Sequence, residues 1–286
     1  LDMLPESNER QKLLMAPDNY EKFDFNVKVG FGHQYMRNML HVNQGEINGK
    51  IAFSEMGQLA GISNTDWSWA PLFADYDNDG HKDLFVTNGY LRDYTNLDFL
   101  KYMGDYIQNN QGNIQRQNIL ELVQKIPSSN VTNYIFKNEG RLSFINKTSE
   151  WGLDQPLNSN GAAYADLDND GDLDLVGNVE NNVYVKKLIY KLNDGLGNFG
   201  PDQSIRENLT EIKAIKLGDL DNDNRLDLIV AIRNNNSSEY FGDLSWYKNS
   251  TTLTFTSMPN VDLNVRMIGQ IDAIDLNNDG YNDIVT

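Results

Sequence analysis

Nine residues at positions 75–83, Asp-Tyr-Asp-Asn-Asp-Gly-His-Lys-Asp, form the stretch of sequence that decides the fold. Carboxylates stand at loop positions 1, 3, 5 and 9, and glycine stands at loop position 6. The pattern returns at residues 166–174, 219–227 and 275–283, which we number loops 2, 3 and 4 after loop 1 at 75–83. Self-similarity of this kind indicates a repeat architecture.

The spacing of the loops predicts one insertion. Their first residues are 91, 53 and 56 positions apart, so the first interval contains about 35 additional residues. Leu97, Leu100, Met103 and Ile107 follow one another at helical spacing in this interval. We therefore expect a helical insertion near 97–126, bounded at 96–127 and broken near Gly104 and Gly112.

A second repeated element is an asparagine that precedes a phenylalanine. The separation is six residues for Asn138, Asn193 and Asn249, and ten residues from Asn43 to Phe53. Asn-x-Gly between apolar runs is a hairpin signal, because both residues tolerate positive φ. Each repeat is therefore predicted to run in the order hairpin, connector, strand, aspartate loop, strand.

The fold class predicted from these elements is all-β. A unit of about 55 residues with four short apolar strands is typical of a β-propeller blade. The predicted organisation is an N-terminal segment, 1–39, followed by propeller blades over 40–286 with the insertion at 96–127. Residues 9–15, before Pro17, suggest a short helix ahead of the first blade.

The aspartate loops have the composition of calcium sites. Ca²⁺ prefers six to eight oxygen ligands at flexible distances, and a sharp turn at loop position 6 lets one short loop supply them. Side chains would bind from positions 1, 3, 5 and 9, and a main-chain carbonyl from position 7. The predicted ligands, for up to four structural ions, are Asp75, Asp77, Asp79, His81, Asp83, Asp166, Asp168, Asp170, Asp172, Asp174, Asp219, Asp221, Asp223, Arg225, Asp227, Asp275, Asn277, Asp279, Tyr281 and Asp283.

Two substitutions distinguish the loops from one another. Asn224 replaces glycine at position 6 of loop 3, where asparagine is the next most tolerant residue. Asn277 removes one carboxylate from loop 4, so we expect loop 4 to be the weakest or tied-weakest site. An EF-hand is excluded, because position 12 of the loops is never the glutamate that it requires.

Composition excludes several function classes. The net charge of −17 opposes binding to nucleic acid, and the absence of cysteine excludes disulfides and thiolate metal sites. The sequence contains no run of about 18 apolar residues, so it predicts no helix that spans a membrane. No nucleophile elbow, phosphate loop or histidine cluster is present, and we therefore expect a protein that is not an enzyme.

The loops and hairpins resemble the FG-GAP or VCBS repeats of integrin-α-like propellers. Residues 1–180, with motifs such as Asn64-Thr65-Asp66-Trp67-Ser68-Trp69-Ala70-Pro71 and Thr87-Asn88-Gly89-Tyr90, more narrowly resemble bacterial surface VCBS proteins of the cartilage-acidic-protein-like, ASPIC/UnbV-associated group. The resemblance implies seven blades in a complete propeller, calcium binding, export, and an extracellular or outer-membrane location with lipid anchoring as a lipoprotein.

The leading hypothesis for function is a calcium-stabilised binding or adhesion module at a cell surface that recognises a protein or glycan. Trp67, Trp69 and Tyr90 are candidate platforms for sugar rings, with packing between blades as the alternative. One competing hypothesis is an accessory subunit of an outer-membrane complex for nutrient uptake or secretion, docked through the insertion. The other is a polysaccharide-active propeller enzyme using His33, Tyr35 and Arg37.

Overall fold

The computed structural model describes residues 1–14, 20–129, 131–180, 186–209, 211–233, 241–266 and 268–286. The helices are α1 Asn8–Leu13, α2 Tyr20–Lys28, α3 Leu97–Asn109 and α4 Arg116–Gln124. The strands are β1 His41–Ile47, β2 Lys50–Glu55, β3 Ser68–Ala74, β4 Asp83–Asn88, β5 Tyr134–Asn138, β6 Phe144–Asn146, β7 Ala162–Ala165, β8 Asp174–Glu180, β9 Lys186–Lys191, β10 Gln203–Leu209, β11 Ile212–Gly218, β12 Asp227–Arg233, β13 Phe241–Lys248, β14 Thr256–Ser257, β15 Asp262–Arg266, β16 Asp272–Ile274 and β17 Asp283–Val285. The predicted all-β class is confirmed.

The chain divides into two compact units. Unit 1 consists of residues 1–68 and 88–131, and unit 2 of residues 69–87 and 132–286. The division predicted at residue 39 stays a prediction. No helix in the described part of the chain is both long and apolar enough to cross a membrane.

Unit 2 is built from four antiparallel sheets that repeat one plan. Sheet A has the order β3-β4-β5-β6, sheet B has β7-β8-β9-β10, and sheet C has β11-β12-β13-β14 with β15 also paired to β13. Sheet D contains β16 and β17. The first two strands of every sheet are joined by one aspartate loop, so the sequence repeat and the sheet repeat coincide. These sheets are consistent with propeller blades.

The core of unit 2 lies between consecutive sheets. Leu175 packs with Tyr76 and Phe85 of sheet A, whereas its neighbour Val176 packs with Leu228 of sheet C. Successive strand residues point to opposite faces, so both faces of the second strand are covered. This explains the near-continuous apolar run of β12, where Ile229 and Ala231 in turn face the cluster shared with sheet D.

The predicted grouping of elements into one repeat is wrong, although their order along the chain agrees with the structure. Asn138 ends β5 and pairs with Phe144 of β6 in sheet A, the sheet that also contains loop 1. Each hairpin asparagine therefore belongs to the sheet of the preceding aspartate loop, and the order is strand, loop, strand, strand, hairpin, strand. Asn43 lies instead in a separate two-stranded sheet of β1 and β2, whose turn is at Asn48 and Gly49 with φ of 53° and 76°.

Unit 1 contains the predicted helical insertion, which enters the sequence between β4 and β5. Helices α3 and α4 confirm it, and Gly112, with φ 76°, lies in the break between them. The expected break at Gly104 is wrong, because this residue lies inside α3. An interior glycine costs a helix about 1 kcal/mol relative to alanine but removes no hydrogen bond. The predicted early helix corresponds to α1; Met15 and Pro17 lie outside the described residues.

Candidate metal centres

Each aspartate loop turns through two residues in the left-handed region. Loop position 6 has φ of 88°, 97°, 65° and 92° in loops 1 to 4, and the 65° belongs to Asn224, which adopts this conformation as its residue type predicted. Loop position 4 is also left-handed in every loop. This second turn is not among the features predicted from the sequence, although the four residues share a type that tolerates it: Asn78, Asn169, Asn222 and Asn278.

The carboxylate at loop position 1 closes the loop. In loop 1, Asp75 accepts the main-chain N–H of Asp79 at 3.0 Å and that of Gly80 at 2.9 Å. The carboxylate at position 5 then accepts the N–H of position 7, at 2.9 Å from His81 to Asp79. Loops 2, 3 and 4 repeat both contacts with distances between 2.8 and 3.2 Å. The loop geometry thus follows from the carboxylate positions.

The aspartate at loop position 9 is buried and accepts hydrogen bonds from two parts of the main chain. Asp174 accepts the N–H of Leu167 and that of Asn193, each at 2.9 Å. Asp83 and Asp227 make the same pair of contacts in their own sheets, and all three are at most 1% exposed. Each therefore ties its loop to the third strand of the sheet, a role that the ligand prediction did not contain.

Burial raises the pKa of these position-9 carboxyl groups. The pKa of Asp83 is raised to about 6 and that of Asp174 to about 6, because desolvation penalises the charged form and neighbouring loop carboxylates add repulsion. The two main-chain donors oppose this shift by stabilising the anion. A positive charge near these groups would favour their ionised form.

Three loops gather carboxylates closely enough to hold a metal ion. In each of these loops, one oxygen from each of positions 1, 3 and 9 lies within 4.8 Å of the others. The groups are Asp75, Asp77 and Asp83 in loop 1; Asp166, Asp168 and Asp174 in loop 2; and Asp219, Asp221 and Asp227 in loop 3. The carboxylates at position 5 lie next to these groups in the loop, and each accepts the main-chain N–H of position 7: Asp79, Asp170 and Asp223. In loop 4, the Asn277 side-chain amide donates to Asp279 at 3.0 Å. The position-7 carbonyls of His81, Asp172, Arg225 and Tyr281 stay predicted ligands.

Side chains outside the loops also contact these carboxylates. Lys137 donates to Asp77 and, at 2.8 Å, to Asp79, and this contact lowers the pKa of Asp79. In loop 2 the pKa of Asp168 is raised instead, first by burial and then by the charge of Asp170. The loops therefore share a backbone geometry but differ in electrostatic surroundings.

Side-chain amides join neighbouring sheets at the loops, a contact that the sequence pattern does not predict. The Asn193 amide of sheet B donates to the carbonyl of Tyr76 in loop 1 at 2.7 Å, and the Asn249 amide of sheet C donates to the carbonyl of Leu167 in loop 2 at 2.9 Å. The sequence pattern predicts only a turn at the repeated hairpin asparagine. Its nearly complete burial, 5% and 0% exposed in these two copies, identifies it as an intersheet contact.

The candidate sugar platforms and the candidate catalytic residues lie outside the aspartate loops in the sequence. In unit 1, Trp67 stacks on Tyr90 with ring centroids 4.6 Å apart. Trp69, in unit 2, is 43% exposed. In unit 1, the Arg37 guanidinium lies 4.2 Å from the centre of the Tyr35 ring and pairs with Glu55 at 3.0 Å, contacts that fix its position in a structural network.

Comparison with known proteins agrees with the repeat. A family profile described as an FG-GAP-like repeat matches residues 219–286, which include loops 3 and 4 and strands β12 to β17. Residues 219–286 are thus similar to an FG-GAP-like repeat, which supports the resemblance at that level. A search of curated proteins found no match to the chain.

Proposed function

We propose that this chain is a calcium-stabilised binding module of a cell surface that recognises a protein or a glycan. The observation that supports it is the repeated gathering of three carboxylates in loops 1, 2 and 3. Oxygen donors alone form these groups, and hard divalent cations such as Ca²⁺ prefer oxygen donors. An FG-GAP-like repeat over residues 219–286 fits a binding module of the propeller type.

The residues present fit a bound cation. Oδ1 of Asp77 and Oδ1 of Asp221 are buried and have no hydrogen-bond partner among the described residues. A buried carboxylate oxygen without a partner is costly, and a cation would compensate it. Asp77 and Asp221 would hold the ion together with the position-1 and position-9 aspartates of their loops. The ion would supply positive charge that offsets the mutual repulsion of the carboxylates.

Calcium titration tests the metal assignment. Isothermal titration calorimetry of the chain stripped with EGTA, repeated with Mg²⁺, should show calcium binding that Mg²⁺ reproduces only weakly, because Mg²⁺ demands stricter octahedral geometry. Native mass spectrometry should count three or four ions. A chain that binds no calcium at millimolar concentration would refute the proposal.

The extracellular location follows from the expected affinity range. Short aspartate loops with micromolar or weaker affinity suit the millimolar calcium outside cells. For a glycan, Trp69 is the better platform, because its side chain is 43% exposed whereas Trp67 is stacked on Tyr90. Binding to a glycan or protein array should be lost in Trp69→Ala and kept in Trp246→Ala. An array without any calcium-dependent ligand would count against recognition.

A second candidate is an accessory subunit of an outer-membrane assembly. The observation that favours it is the apolar surface of the helical insertion, with α3 and α4 side chains that are 36% to 59% exposed: Leu97, Tyr102, Ile107, Ile119, Leu120 and Val123. Contiguous exposed apolar side chains are common at interaction surfaces. Co-purification of a partner from native membranes, lost in Leu120→Asp, would support this function over a free adhesin.

A further inference from the structure

Two of the four aspartate loops are contacted by the ammonium group of a lysine that lies outside the loop. In loop 1, the Lys137 ammonium group contacts Asp77 and lies 2.8 Å from Asp79. In loop 3, the Lys248 ammonium group contacts Asp221 and lies 3.0 Å from Asp223. In both loops the lysine therefore pairs with the carboxylates at positions 3 and 5.

The two lysines occupy one position of the repeat. Each immediately precedes a hairpin asparagine whose N–H donates to the position-9 aspartate, at 2.8 Å for Asn138 and 2.9 Å for Asn249. In sheet B the same contact is made by Asn193 at 2.9 Å. The residue before Asn193 is Leu192, which has no charge.

The nearest lysine of sheet B does not replace the missing charge. Lys191 lies one position earlier on the strand and donates to the Gly200 carbonyl at 3.0 Å and to Asp202 at 2.9 Å. Neighbouring strand residues point to opposite faces. Loop 2 thus gathers Asp166, Asp168 and Asp174 without an ammonium group at the equivalent position.

We propose that Lys137 and Lys248 are tethered competitors of calcium, so that loop 2 binds the ion most tightly and loops 1 and 3 bind it more weakly. This inference rests on the proposed calcium-stabilised function and adds an order of occupation to it. In both loops the lysine holds Oδ2 of the position-3 carboxylate and leaves its Oδ1 without a partner, so an ion bound through Oδ1 would meet a like charge beside it. Moving the lysine away costs the chain two charge-assisted hydrogen bonds, whereas loop 2 gives up none.

The competition also determines which loops need calcium. Without the ion, loops 1 and 3 keep one positive charge beside the carboxylates at positions 3 and 5. Among the described residues loop 2 has no ammonium group there, and main-chain N–H groups oppose the repulsion between Asp168 and Asp170 instead. Partial occupation at low calcium therefore begins at loop 2. This loop and its hairpin contact loop 1 twice: Asn193 donates to the Tyr76 carbonyl and Asn78 donates to Asp172, each at 2.7 Å. Stabilisation would start at the junction of sheets A and B.

The test exchanges charges at the equivalent positions. Lys137→Met and Lys248→Met remove the competitors, Leu192→Lys introduces one into loop 2, and Asp168→Asn removes a ligand from loop 2. Lys147→Met is a matched control, because Lys147 directly follows β6 of sheet A and its side chain is similarly exposed, at 23% against 21% for Lys137, but pairs with Glu150. Calcium affinities and stoichiometry are measured by calorimetry and native mass spectrometry.

The wild type should show one tight calcium site above a weaker class, and Asp168→Asn should abolish the tight one. We expect Lys137→Met and Lys248→Met each to tighten one weak site about tenfold, and Leu192→Lys to weaken the tight site about tenfold. Equal affinities at all sites, or lysine variants that match Lys147→Met, would overturn the inference while leaving calcium binding intact. Absence of all calcium binding would instead refute the proposed function.

Discussion

At the scale of single residues, the aspartate at loop position 9 combines two tasks. Both of its oxygens accept main-chain N–H groups, and one of them also belongs to the gathered carboxylate group. Carboxylate oxygens have two acceptor sites each, so hydrogen bonds and an ion can share them. The first task needs no metal and can therefore be measured separately from the second.

Replacing Asp174 by asparagine should destabilise the chain even without calcium. The new amide group would face a main-chain N–H, leaving a buried donor unsatisfied at a cost of about 1–3 kcal/mol. Urea unfolding in excess EGTA measures this loss. Asp170→Asn, in the same loop but exposed, should change the free energy of unfolding by less than about 0.5 kcal/mol. Equal losses in the two variants would contradict the structural role of position 9.

Gly171→Ala should destabilise through its backbone conformation alone. Gly171 has φ 97°, and an added Cβ would meet no atom within 4 Å. The expected loss is therefore the left-handed penalty of about 1–2 kcal/mol. Gly269→Ala is the control, because its added Cβ also meets nothing and its φ is not in the left-handed region. Thermal unfolding that ranks the two variants equally would show that the turn is not responsible.

The residue scale also shows which features of the site were predictable. Carboxylates at positions 1, 3 and 9 were named as ligands because metal chemistry dictates residue type and spacing. The left-handed turn at Asn169 was missed because asparagine is tolerant rather than obligatory there. The main-chain contacts of Asp174 were missed because they join residues that only the folded sheet brings together.

At the scale of elements, neighbouring sheets are joined by buried amide groups as well as by apolar packing. The Asn193 amide donates to the Tyr76 carbonyl at 2.7 Å and to the Leu173 carbonyl at 3.2 Å. It thereby connects the loop of sheet A with the loop of its own sheet. Packing alone would allow small sliding between sheets, whereas these directional contacts define their register.

Asn193→Ala should weaken the junction between sheets A and B. Two buried carbonyls would lose a donor, and we expect a loss of about 1–3 kcal/mol in the free energy of unfolding. Asn198→Ala removes an exposed contact to Asp194 in the same hairpin and should cost less than about 0.5 kcal/mol. Hydrogen exchange should show faster exchange near residues 76 and 193 only in the first variant. Unchanged exchange there would argue against the junction.

Elements were predicted better than their grouping. The apolar runs beside each loop, such as Leu228 to Val230, gave correct strands because short runs with turn residues at both ends favour strands over helices. The period of the repeat does not determine its starting point, so the hairpin was assigned to the following loop rather than the preceding one. The insertion between β4 and β5 concealed the correct assignment, because it separates loop 1 from Asn138.

At the scale of the whole molecule, a large share of the acidic charge lies in the aspartate loops. The chain has a net charge of −17, and 15 aspartates occupy ligand positions 1, 3, 5 and 9 of the four loops. Lysines offset part of this charge in loops 1 and 3. Repulsion among the remaining carboxylates is relieved by a bound divalent ion or, less effectively, by salt.

Chelation should therefore lower the melting temperature of the chain, by an amount that depends on salt. A site with calcium at about 100 times its dissociation constant adds about 2.7 kcal/mol of stability, so removing several ions should lower Tm by several degrees or more. Differential scanning calorimetry in excess EGTA measures the shift, and restored calcium is the control for irreversible damage. Sodium chloride should raise Tm in EGTA more than in calcium, because screening acts on the uncompensated carboxylates. A melting curve that EGTA leaves unchanged would show that these aspartate loops need no ion to hold the sheets together.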